Sequence, residues 1–332
     1  MDPRSLPAPG LFRPVHRGRR LVAAALAAAL LVGAAACAES DEAADRAPSS
    51  SADTQGLEPA VKVDPGPAPD VSLIDAGGGE RRVLEYAPSR EPAVVDVTRS
   101  GNSSTSVPGT EPRTDTTPAQ TLTLKGESEP DVDGAQRATV VAEEFTSVDE
   151  LRNAQFATAP GFTVTWNRSS NGIVRELSLE APTGATDAAR AGVEITANAV
   201  SEATVAWPTE AIGVGARWTV TRQVDDAVAP TRVVTYELTA LDGDVATVRV
   251  EYDAPDTADT LTAPAPDGGP GVTLDVETYA VSGSGELTID LRAALPVDGK
   301  TESSTRAVYT DPESGRKTSY DEDSVLQFRS VD

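Results

Sequence analysis

Residues 231–252 read TRVVTYELTALDGDVATVRVEY, two alternating runs on either side of an Asp-Gly step. Val234, Tyr236 and Leu238 share one parity in the first run, and Val248, Val250 and Tyr252 share one in the second. A period of two places each apolar set on one face of a β-strand and leaves Thr, Arg and Glu for the other. Asp242-Gly243 supplies the positive φ that a tight hairpin needs.

The same pattern continues in both directions. Phe162, Val164 and Trp166 alternate, as do Trp218 and Val220, Leu274 and Val276, and Leu287, Ile289 and Leu291. Asp133-Gly134, Asn171-Gly172, Gly283-Ser284-Gly285 and Asp298-Gly299 read as further turns. Roughly ten or more antiparallel strands are expected, and a sheet of that size must twist and curl. Residues 185–205 (ATDAARAGVEITANAVSEATV) break the pattern: Ala189, Val193, Val200 and Ala203 recur at helical spacing, ahead of Trp207-Pro208. This predicts a helix on the concave side of the sheet. Ser147-Val148-Asp149-Glu150 has the form of a capping box and predicts one short helical turn before Leu151. Ser100 to Pro118, rich in Ser, Thr, Gly and Pro, predicts a long loop. The expected fold is mainly β: a large curved antiparallel sheet, half-barrel or open barrel, with one packed helix, over residues 80–332.

The N-terminus has a different character. Arg4, Arg13, Arg17, Arg19 and Arg20 precede an unbroken apolar run from Leu21 to Ala36. A basic stretch, a short apolar run and small residues ahead of a cleavage point describe a secretory signal. The run is shorter than the roughly 20 residues a membrane-spanning helix needs. Cys37, the only cysteine, follows Ala34-Ala35-Ala36 directly. This resembles the lipobox of bacterial lipoproteins, although Ala34 stands where Leu is usual. The resemblance implies that the Cys37 thiol accepts a diacylglycerol, with palmitate-type fatty chains, and becomes the new N-terminus. Two chains suffice for stable anchoring where one is marginal. Residues 1–36 are thus expected to be a signal peptide. Residues 37–79, acidic and poor in large apolar side chains, are expected to be a disordered linker. The body would face outside, tethered to the cell membrane through Cys37. Arg19-Arg20 leaves both the general and the twin-arginine export routes open.

The chain carries a net charge of −24. Removing residues 1–36 takes away five arginines and one aspartate and leaves about −28. A polyanion is repelled by nucleic acid and by anionic lipid headgroups, so neither is an expected partner and the acyl chains must do the anchoring. The charge also keeps an exported protein dispersed.

Residues 207–218, WPTEAIGVGARW, resemble the Pro…Val-Gly-Val-Gly-x-x-Trp core of a bacterial lipoprotein family, domain of unknown function 6263, with Trp207 where that family has Leu. Gly285 to Leu291 followed by Asp298-Gly299 resembles its C-terminal part. The resemblance spans roughly residues 80–330. It implies an exported lipoprotein and brings no activity. Gly213-Val214-Gly215 reads as a turn into the strand at Trp218. It is no dinucleotide loop, because Trp218 stands where the third glycine belongs.

Composition removes much chemistry. The one histidine, His16, leaves with the signal peptide, and Met1 is the one methionine. No Ser-His-Asp or Cys-His triad, ordinary zinc site, blue copper or His-held haem is available, and no cofactor is expected. Carboxylates remain. Glu143, Glu144, Glu237 and Glu251 are candidates for a glycosidase pair. Asp131-Val132-Asp133-Gly134 and Asp242-Gly243-Asp244 resemble the opening of a calcium loop without its terminal Glu. Trp166, Trp207 and Trp218 are either core side chains or the lining of a ligand cavity. The leading expectation is a non-catalytic binding or carrier module for an apolar envelope molecule or a partner protein. The alternative is a glycoside hydrolase working with carboxylates alone.

Overall fold

A computed structural model describes residues 56–131, 135–224, 226–263 and 271–331. The expected signal peptide, Cys37, the part of the expected linker up to residue 55 and Asp133-Gly134 lie outside the described residues. The first half of the chain forms β1 (Val61–Val63), β2 (Asp70–Asp75), β3 (Ala93–Ser106), β4 (Arg113–Pro130), β5 (Gln136–Ser147), α1 (Glu150–Phe156), β6 (Thr163–Arg168) and β7 (Val174–Glu180). α2 (Asp187–Ala203), β8 (Arg217–Gln223), β9 (Thr231–Asp242) and β10 (Val245–Tyr252) follow. β11 (Thr260–Ala263), β12 (Val272–Asp290), β13 (Asp298–Thr310) and β14 (Lys317–Ser330) complete it.

All fourteen strands belong to one antiparallel sheet, ordered β1-β7-β6-β5-β4-β3-β14-β13-β12-β10-β9-β8-β2, with β11 pairing β12 off this path. The order forces the curl. Laid flat, thirteen strands about 4.8 Å apart would separate β1 from β2 by about 58 Å. Val63 and Asp70 are joined by residues 64–69 alone, a reach of about 25 Å at most. The two edges must therefore approach each other, and the sheet is an open, unclosed barrel. α2 spans the same gap. It leads from β7, next to one edge, to β8, next to the other, and its 17 residues extend about 25 Å.

α2 shows how the interior is filled. Thr186 caps it, its hydroxyl accepting from the Ala189 amide at 3.1 Å. Ala189, Val193, Ala197 and Val200 then recur on one face and join the same buried cluster as the inward side chains of the sheet. The helix ends at Thr204, earlier than Trp207-Pro208 suggested, because Val205, Ala206 and Trp207 continue as a wholly buried extended segment. Gly192 faces β5 so closely that a Cβ there would collide with the Phe145 ring. This sets a sign test. Gly→Ala in a free helix stabilises by about 1 kcal/mol; Gly192→Ala is expected to destabilise by about 1–3 kcal/mol through overpacking, read as a lower urea midpoint.

Four expectations are corrected. Residues 56–79 are not a disordered linker. β1 pairs with β7 and β2 with β8, and Val63, Val71 and Leu73 pack on the core. An edge strand needs only one ladder and a few inward side chains, so polar composition did not preclude it. Ser100 to Pro118 is not a loop but the outer half of the long β3–β4 hairpin. Gly283-Ser284-Gly285 is no hairpin either: it lies inside β12, where a Cβ on Gly283 would meet the Glu302 carbonyl and come within 2.9 Å of the Tyr252 ring. Asp298-Gly299 likewise opens β13, with Gly299 facing Leu287 and Phe328. The short helical turn expected near Leu151 forms as α1. α1 has seven residues and is capped by Asp149 rather than Ser147; the Asp149 carboxylate accepts from the Leu151 amide at 3.2 Å.

The period-two runs otherwise form strands, and Asn171-Gly172 and Asp242-Gly243 turn their hairpins with Gly172 and Gly243 at φ 90° and 55°. Of the described helices, none is long and apolar enough to cross a membrane.

Candidate binding surface

The three tryptophans are core side chains. Trp207 and Trp218 are fully buried, their ring centroids 5.5 Å apart, in a row running Tyr86–Trp207–Trp218–Tyr236. The Trp218 indole N–H donates to the Ala206 carbonyl at 2.9 Å. Trp207 is pinned by the β6–β7 hairpin: its amide donates to the Asn171 carbonyl at 2.8 Å, and the Asn171 side chain donates back to the Trp207 carbonyl. Trp166 borders a gap between sheet and α2, with Arg168 and Val200, that does not admit a water molecule. A larger hollow of about 290 Å³ opens on the surface between Glu85, Ser170, Arg175 and Thr209, and its lining is half polar. Neither hollow is an enclosed apolar cavity.

The interior nevertheless contains a charge. Arg168 is 2% exposed. Its guanidinium donates to the Ala293 carbonyl at 3.0 Å, the Ala294 carbonyl at 3.2 Å and Gln136 Oε1 at 3.3 Å, and lies 4.0 Å above the Tyr86 ring. The Gln136 amide donates in turn to the Tyr86 carbonyl. No carboxylate takes part. Burial holds Arg168 below the usual arginine value and pushes the Tyr86 hydroxyl up. The work of this arginine is structural: it fastens the 291–297 connection to β6.

The carboxylate candidates do not converge. Glu143 and Glu144 are exposed on β5, at a bulge where Thr123 pairs with Glu144 and Leu124 with Ala142. Glu251 and Glu237 lie six and seven strand-to-strand steps away, on the outward face of β10 and β9, and Arg249 donates to Glu237 at 2.7 Å. Asp242-Gly243-Asp244 is a hairpin turn already occupied by a cation: Arg82 donates to the Gly243 carbonyl and reaches Asp244 at 3.5 Å. Among the described residues no three His, Cys, Asp or Glu side chains could hold a metal ion. In the 131–134 segment, residues 132–134 lie outside the described residues, as does Cys37, the expected site of acylation.

The concave face changes character towards one end. Along β3 the inward positions run Val95, Val97, Arg99 and Gly101, and along β4 they run Leu124, Leu122 and Gln120. Val95, Val97, Leu122 and Leu124 are core. Arg99 and Gln120 stand directly opposite each other, and Leu326 on β14 flanks Arg99 on the other side. One step further out come Gly101, Ser324 and Thr117; a register shift in the β3–β4 ladder sets Thr117 opposite Gly101, and Ser324 and Thr117 are exposed. The main core thus gives way to a solvent-open patch, the mouth, of small and hydroxylated residues, before a second apolar cluster around Ala307, Tyr309 and Tyr320. Sequence reading missed Arg99 and Gln120 because the loop expected over 100–118 ended both strands beside them. The legible signal was a polar residue on the apolar parity of each alternation.

Compared with family models and with curated proteins, the chain finds no match. Gly213-Val214-Gly215, with Gly215 at φ 87°, turns into β8 (Arg217–Gln223), as the sequence predicted.

Proposed function

We propose that this chain is exported, acylated on Cys37 and held at the outer face of the cell membrane, where its β body acts as a non-catalytic binding module for an envelope molecule or partner protein. The observation that carries the binding reading is the solvent-open patch beside Arg99 and Gln120 on the concave face, while the interior gap at Trp166 is too tight for water. A ligand would meet the protein at this mouth rather than inside an enclosed apolar cavity. The strong negative charge keeps the body off anionic headgroups, so the tether is what retains it. The expected result for Cys37→Ser is release from the membrane fraction, together with loss of the mass of the acyl chains. Unchanged retention of Cys37→Ser in membranes would end the lipoprotein reading. Native mass spectrometry of the detergent-extracted full chain tests binding separately: an adduct that survives gentle activation is expected.

A further inference from the structure

We propose that the mouth of the concave face holds one oxyanion, the carboxylate or phosphate group of a ligand, with Arg99 supplying the charge and Gln120 a second donor. This rests on the binding reading above and names what the mouth takes.

Arg99 and Gln120 are direct cross-strand partners on the inward face, so their side chains leave the sheet about 5 Å apart. Gln120 is 7% exposed and Arg99 is half-buried. Neither side chain makes a hydrogen bond or ion pair with any described residue, and the polar atoms of both reach solvent, where a ligand can meet them. Burial holds Arg99 below the usual arginine value, and no carboxylate opposes that effect.

The contrast with other inward arginines is specific. Arg222 and Arg232 face each other on β8 and β9. Arg222 donates to the Thr204 carbonyl at the end of α2 at 3.2 Å, and Arg232 pairs with Glu202. In a chain with this excess of acid, a carboxylate partner for Arg99 would be easy to supply. The nearest inward acids by register, Glu322 and Asp115, lie opposite Ser103, four residues along β3, or about 13 Å. Both have partners: the Tyr320 hydroxyl donates to Glu322, and Arg113 pairs with Asp115.

Room and access are present as well. Gly101 puts no side chain beside Arg99, and the exposed Ser324 and Thr117 open this position to solvent. A guanidinium and a carboxamide N–H, with hydroxyls beyond them, suit the forked acceptors of a single carboxylate or phosphate. The overall negative charge repels a polyanion, so the group should belong to an otherwise neutral, hydroxyl-bearing ligand.

The test uses the full chain in a neutral detergent at constant ionic strength, with chloride replaced stepwise by inorganic phosphate or by acetate, and reads the thermal midpoint. A saturable rise with at least one of the two is expected for the wild type, and which one acts distinguishes the phosphate from the carboxylate source. Arg99→Met and Gln120→Leu are expected to keep or raise the midpoint in chloride, since each removes a polar group that bonds no described residue and keeps the apolar stem. Both should weaken the response to the active anion at least tenfold. No response of the wild type to either anion, or an equal response from Arg99→Met, would overturn the proposal. So would a lowered midpoint for both variants in chloride, which would make the pair structural. An adduct seen equally on wild type and Arg99→Met by native mass spectrometry would keep the binding reading while removing this one.

Discussion

Replacing Trp218 by alanine is expected to lower the unfolding free energy by about 3–5 kcal/mol, the range for deleting a large buried ring. Trp218 is fully buried and bonded through its indole N–H to Ala206. It stands between Trp207 and Tyr236, each with a ring centroid at 5.5 Å. It also pairs across the strand with Leu73 on β2, the edge the linker expectation left out. Its removal would loosen the edge strand, the extended segment after α2 and the β8–β9 pair together. Trp218→Phe keeps most of the ring and orphans one carbonyl, so a smaller loss of about 1–3 kcal/mol is expected. Urea unfolding followed by far-UV circular dichroism measures both. A lower midpoint at constant slope identifies the loss as one of native stability. An alanine variant with a wild-type midpoint would show that this side chain does not belong to the core.

Arg168→Ala is expected to be comparably damaging, by about 3–5 kcal/mol. Two main-chain carbonyls and Gln136 Oε1 lose their donor, and each orphaned buried acceptor costs about 1–3 kcal/mol. The emptied volume beside Trp166 adds to this. Arg168→Lys tests the geometry. A point-like ammonium cannot span three acceptors as the planar fork does, so Lys should recover only part of the loss although the charge is kept. Full recovery by Lys would mean that charge alone, and not the fork, holds the 291–297 connection in place. Arg168→Met separates volume from hydrogen bonding: it refills the site and leaves the acceptors orphaned, so it should fall between alanine and wild type.

Arg168 and Arg99 show what one type of residue means at two places in one sheet. Each is an arginine on the inward parity of a strand. Arg168 meets the carbonyls of residues 293 and 294, more than a hundred residues away in the chain, and is satisfied. Arg99 meets Leu326 and an unpartnered Gln120 and is not. Their neighbours in sequence do not distinguish them.

By itself the sequence determined most of the strands, the main helix and the scarcity of histidine, cysteine and methionine. Alternations such as Val234-Tyr236-Leu238 and the spacing of Ala189, Val193 and Val200 are properties of near neighbours, and beyond residue 37 no histidine or cysteine stands in any fold. The tertiary structure decided the rest. It placed β1 and β2, seven residues apart in sequence, at opposite edges of the sheet, and it turned Gly283-Ser284-Gly285 from an expected turn into a passage for Tyr252. It packed the tryptophans into one another and left Arg99 and Gln120 facing each other without a partner. The physical reason is common to all of these. Whether a side chain is packed, paired or left open depends on which distant strand lies beside it, and strand order arises from the whole chain burying its apolar faces at once.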